Sequence, residues 1–68
     1  MSVARVTEIK SSSTKSFEDA IQNGLERTAR TIQNLKSAWI AEQEVILDDD
    51  AKVCEYRVLM KVTFLVND

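Results

Sequence analysis

The chain has 68 residues, a formal net charge of −2 from nine basic and eleven acidic side chains, one cysteine, one glycine and no histidine. One cysteine cannot build an intrachain disulfide framework, and without histidine there is neither a Cys/His zinc site nor a Ser-His or Cys-His nucleophile. The slightly acidic balance gives no electrostatic footprint for nucleic acid, a single glycine gives no phosphate-cradling loop, and no run of 18 apolar residues marks a membrane span.

At 7.7 kDa the chain amounts to one small domain over residues 1–68. A folded chain of that mass exposes about 4,300 Å², against roughly 11,000 Å² unfolded, so its core is marginal for a lone monomer. With disulfides and a zinc centre excluded, self-association is the expected source of stability. Hydrophobic residues make up 44% and charged residues 29%, which is ordinary for a globular chain and wrong for disorder. The segment from Met1 to Lys10 has no apolar core of a signal peptide, so a soluble cytoplasmic protein is expected.

Val3 to Lys10 alternates weakly and reads as a first strand. Ser11, Ser12, Ser13 and Thr14 then read as a polar break, and with Lys15 as a loop. Ser16 opens a helix. Asp19 three residues later approximates a capping box, and Glu18 and Asp19 favour the positive helix start. Phe17, Ala20, Ile21, Gly24, Leu25, Thr28, Ile32 and Leu35 follow at helical spacing, which predicts a helix closing at Asn34 or Lys36. Gly24 within that stripe costs about 1 kcal/mol relative to alanine, and close packing of the helix on a sheet is its plain explanation.

Ser37 to Leu47 reads as a second strand. Its apolar triplet Val45–Ile46–Leu47 requires either cover on both faces or a bulge that changes the phase. Asp48, Asp49 and Asp50 make a turn. Val53 to Val66 is the clearest element, because all its even positions are apolar: Cys54, Tyr56, Val58, Met60, Val62, Phe64 and Val66. Tyr56, Phe64 and Cys54 are therefore expected in the core. The order is β-α-β-β, an α+β fold whose short turn pairs the last two strands as an antiparallel hairpin. One helix covers one face of three strands. The other face carries Leu59, Leu65 and Trp39, an apolar surface suited to a subunit interface or a ligand.

Three stretches resemble the dodecin family: the strand and loop ARVTEIKSSS, the helix FEDAIQNGLERTARTIQNL, and the strand EYRVLMKVTFLV. The resemblance covers nearly the whole chain. It implies a three-stranded antiparallel sheet wrapped around one helix, with twelve copies closing into a hollow sphere. It further implies a non-enzymatic storage, buffering or protective role for flavin (FMN, riboflavin or FAD), held in stacked pairs between tryptophans of the second strand. A glutamine on the third strand hydrogen-bonds the ring in such proteins.

Carried over position by position, the pocket departs from that pattern. Leu35 is expected to be the last helical leucine, which sets Ser37 at the family tryptophan's position. Trp39 lies two residues on, a shift of roughly 6.6 Å along one face of a strand. Arg57 stands at the glutamine's position and has donors but no acceptor. Glu44 stands where a basic residue is common and repels a flavin phosphate.

Three readings follow. In the first, Trp39, Arg57 and Ser37 hold a small planar ligand, flavin above all, with indole and guanidinium bracketing a ring; otherwise Trp39 anchors an interface. In the second, Asp48, Asp49 and Asp50 supply hard oxygen ligands to a cation such as calcium, although their spacing is not that of an EF-hand and consecutive aspartates in a turn are commonly just solvated. In the third, the assembly is a structural shell, with Glu42 and Glu44 pairing with Lys61 and Arg57. No nucleic-acid or membrane partner is expected.

Overall fold

The computed structural model describes residues 3–66. Strand β1 (Val3–Ser13) leads to helix α1 (Phe17–Ala29), then to strands β2 (Leu35–Leu47) and β3 (Val53–Val66). β3 lies in the centre and pairs antiparallel with β1 on one side and β2 on the other. This is the β-α-β-β arrangement, and the bounds of β3 match its alternation in the sequence.

The serine run is strand, not loop. Ser11, Ser12 and Ser13 pair with Val58, Arg57 and Tyr56 of β3, so β1 runs three residues past Lys10. Ser13 is buried, and its hydroxyl donates to Asp19 Oδ2 at 2.6 Å while accepting from the Lys15 backbone N–H at 2.9 Å. A polar residue at a strand end thus ties the sheet to the start of α1. Ser16 caps the helix, accepting from the Asp19 N–H at 2.9 Å. The Asp19 carboxylate does not complete a capping box; it accepts hydrogen bonds from the Ser13 hydroxyl and the Asn23 amide instead.

The helix ends at Ala29, well before Asn34 or Lys36. The Thr28 hydroxyl bonds back to the Gly24 carbonyl at 2.8 Å, and the Thr28 carbonyl accepts from the N–H groups of both Thr31 and Ile32. Asn34 then adopts a left-handed φ of 65°, which turns the chain. Leu35 is not helical; it opens β2 opposite Phe64, and the Asn34 carbonyl accepts from the Leu65 N–H at 3.1 Å. Sheet pairing and burial of Leu35 override a helical periodicity that continues on paper.

Length mismatch shapes the core. Thirteen helical residues span about 20 Å, whereas the fourteen residues of β3 span about 46 Å. Among the described residues the enclosed hydrophobic side chains are Ala20, Val58, Met60 and Val62, with Ile9, Phe17, Ile21, Leu25, Leu35, Ala38 and Ile40 packed around them. Tyr56 meets Phe17 edge-on, with ring centroids 5.2 Å apart, at the helix start. Tyr56 and Phe64 are therefore half-buried rims of the core rather than its centre.

Cys54 overturns its expected burial: it is exposed. It lies beyond the helix start and is skipped in the ladder, where Ile46 pairs with Glu55 and Leu47 with Val53. The bulge expected from the Val45–Ile46–Leu47 triplet is thus present, with its extra residue on β3. Two further bulges leave Lys36 and Ala41 of β2 without ladder partners.

The chain exposes 5254 Å², about 900 Å² more than a compact protein of its mass. It measures 53 × 19 × 13 Å, with a radius of gyration of 14.1 Å against about 11 Å for a compact domain of this length. Val3, Val6, Trp39, Leu47 and Val53 are among the large apolar side chains left exposed.

Gly24 sits where the helix touches the sheet. A Cβ there would lie 2.8 Å from Ser11 Cβ and 2.9 Å from Met60 Cε. Overpacking of this kind costs about 1–3 kcal/mol, which outweighs the roughly 1 kcal/mol gained in helix propensity. Gly24→Ala is expected to lower the thermal midpoint by several degrees; an unchanged or higher midpoint in calorimetry would contradict the close approach. Ser13→Ala leaves Asp19 one donor short and is expected to cost about 1 kcal/mol in denaturant unfolding.

Candidate functional site

Among the described residues nothing covers the face of the sheet away from α1. Val58, Met60 and Val62 point to the helix, so Arg57, Leu59, Lys61 and Thr63 point the other way. Cross-strand partners share a face. Their register therefore sets out the rows of the open side: Ser12, Arg57 and Glu44; Lys10, Leu59 and Glu42; Glu8, Lys61 and Trp39; Val6, Thr63 and Ser37.

Trp39 stands on this face with 74% of its surface exposed. An indole is seldom left so free, because its rings contribute a large apolar area and a polar N–H. Ser37 shares the face one row away, while the cleft of about 170 Å³ that it borders with Leu25, Leu35, Lys36 and Val62 lies on the helix side and does not include Trp39. Arg57 lies two rows from Trp39 in the opposite direction, about 13 Å along the sheet. A single copy thus brings Ser37 and Trp39 together and leaves Arg57 apart. At that backbone spacing the indole and the guanidinium of one copy do not bracket a ring face to face.

Arg57 belongs instead to a groove of about 380 Å³ lined by Lys10, Glu42, Gln43, Glu44, Arg57 and Leu59. Its Nε donates to Glu55 Oε2 at 2.7 Å, a pair between positions i and i+2 of one strand. Among the described residues this is the only ion pair, so the expected pairing of Arg57 and Lys61 with Glu42 and Glu44 is not formed within one chain. With half of the Arg57 side chain exposed, the pair is worth about 0–1 kcal/mol. Lys10 and Gln43 enter the groove through the strand register, which nothing in the local sequence specifies.

Asp48, Asp49 and Asp50 are exposed in the hairpin turn. The Asp48 carboxylate is engaged by the turn itself, accepting from the N–H groups of Asp50 and Lys52 at 2.9 and 3.0 Å. Ala51 takes a left-handed φ of 60° to complete the loop. Among the described residues no three cysteine, aspartate or glutamate side chains converge as a metal-holding group. Nor is any helix among them long and apolar enough to cross a membrane. The open face therefore offers an apolar ring, charges of both signs and hydroxyls: the means to bind and orient a ligand.

Comparison with known proteins places this architecture. The family model described as Dodecin matches residues 3–67. The structure of the dodecin from Streptomyces davaonensis is similar at a TM-score of 0.92 and 31% identity, over 98% of this chain and 97% of that one. An arginine-to-alanine variant of the Thermus thermophilus dodecin gives 0.92 at 26% identity, with both chains covered in full. The calcium dodecin of Mycobacterium tuberculosis, described as a calcium-chelating antigen with a novel calcium-binding site, gives 0.81 at 26% identity over 96% and 91% of the two chains. No curated protein sequence matches. By its matched length, its strand order and its fold, the chain belongs to the dodecin family.

Proposed function

We propose that this dodecin is a non-enzymatic carrier that assembles as a homododecamer and binds a flavin or a similar planar aromatic ligand on the open face of its sheet. The exposure of Trp39 carries the reading: an indole 74% exposed on the uncovered face of a dodecin chain is a stacking platform waiting for a partner. The large surface for its mass supports assembly, since burying it stabilises a chain with a four-residue core. The absence of histidine from the sequence supports a binding role over catalysis.

Ser37, beside Trp39, borders the stacking position. Arg57 reaches the ligand from a neighbouring copy, because 13 Å separates it from Trp39 within one chain. Glu44 in the groove sets a negative charge near the ring system. Its placement favours a neutral ring edge there over a phosphate.

Native mass spectrometry is expected to give a particle near twelve times 7.7 kDa. Titration with riboflavin and FMN is expected to quench flavin emission as the ring stacks. Trp39→Ala should weaken binding about tenfold, or ~1.4 kcal/mol. If that variant binds flavin as tightly as the parent protein but no longer assembles, Trp39 is an interface anchor and the stacking role is lost.

A cation is the second reading, favoured by the similarity to a calcium-chelating dodecin. Asp49 and Asp50 then supply the oxygen ligands, since Asp48 is held by the turn. Saturating Ca²⁺ is expected to raise the thermal midpoint, and Asp49→Asn with Asp50→Asn to abolish that rise. A calorimetric titration with no heat and no stabilisation removes this reading.

A further inference from the structure

We propose that a second hollow on the open face, a cup of about 260 Å³ formed by Lys10, Ser11, Ser12 and Arg57, is a binding site for a tetrahedral oxyanion, specifically a phosphate monoester. Lys10, Arg57 and Ser12 present their side chains to it from the open face, Ser11 borders it with its own side chain turned to Gly24 of the helix, and no carboxylate lines it. Its volume exceeds several times the roughly 30 Å³ occupied by one water, so a phosphate fits with part of its hydration.

The geometry of Arg57 prepares it for this role. A guanidinium carries five N–H donors in a rigid fork. Glu55 takes the Nε–H at 2.7 Å, and the remaining four N–H groups make no hydrogen bond among the described residues. The pair favours one orientation of the guanidinium and leaves its outer edge open to a bidentate acceptor. Ser12 lies directly opposite Arg57 across the β1–β3 ladder. Lys10 lies two residues before Ser12 on the same face, roughly 6.6 Å away. Because β1 is an edge strand, its outward backbone N–H groups have no ladder partner and add donors at this rim.

The neighbouring groove has the opposite polarity. Glu44 flanks Arg57 on the β2 side, and Glu42 flanks Leu59. Charge thus runs across the sheet from basic at β1 to acidic at β2. A ligand with an anionic tail is directed to the β1 side, away from the carboxylates. Binding of a flavin phosphate there rests on the ring-stacking role of Trp39; binding of free phosphate does not.

The test titrates the full-length assembled protein with inorganic phosphate at low ionic strength, followed by calorimetry and by ³¹P line width. Saturable binding is expected, weakened about tenfold in Lys10→Gln with Ser12→Ala and abolished in Ser12→Asp, which adds a negative charge at the cup. Both positions changed, Lys10 and Ser12, are exposed, and mass spectrometry checks that the variants assemble. In parallel, FMN is expected to bind about five to ten times more tightly than riboflavin, with that ratio falling towards one in the double variant. Phosphate binding that does not saturate, or that saturates equally in the Ser12→Asp variant, overturns the proposal. Saturable, Lys10-dependent phosphate binding with no affinity for either flavin supports the cup and removes the flavin carrier instead.

Discussion

A helix of about 20 Å lies on strands more than twice as long, and most other features of this chain depend on that mismatch. The helix encloses Val58, Met60 and Val62 beneath it and nothing further along β3. Tyr56 and Phe64 mark the limits of its reach, and Cys54 and Val66 lie beyond it. In the proposed assembly, what the helix leaves open falls to other copies of the chain. The fold then acts as a building block whose core association completes, in keeping with a chain near the lower size limit of independent stability.

Two contacts hold the helix where it does this work. Gly24 lets its backbone approach Ser11 and Met60, and the Ser13–Asp19 hydrogen bond fixes its first turn to the end of β1. Both involve the serine run. In a sequence, three serines after a weak strand look like a break, because serine competes for its own backbone and favours turns. Here that same hydrogen-bonding capacity is used sideways, towards a helix that arrives later in the chain. Only tertiary contact turns a loop signal into strand.

The strand order and the character of β3 were legible because seven alternations leave little freedom in phase. So was the reason for Gly24. The helix end was not: Ile32 and Leu35 continue the helical spacing, and the force that breaks it is the pairing of Leu35 with Phe64, 29 residues away. Cys54 was misplaced for a related reason. Alternation assigns a face, but burial needs something above that face, and the helix stops short. At the candidate site, Trp39 and Arg57 were identifiable as residue types, whereas Lys10 and Gln43 join the groove only through register and bulges. The 13 Å between Trp39 and Arg57 was likewise invisible, since distance across a sheet is set by pairing and not by residue type.

Trp39 is the only tryptophan in the chain, and it stands on the uncovered face. Every photon of indole fluorescence from the protein thus originates at one address, on the face proposed to meet copies or ligands. Its emission colour reads the local polarity there, and its quenching reads the arrival of an acceptor ring. The proposed assembly and loading can accordingly be followed in real time on the unlabelled native chain, each from the same intrinsic signal.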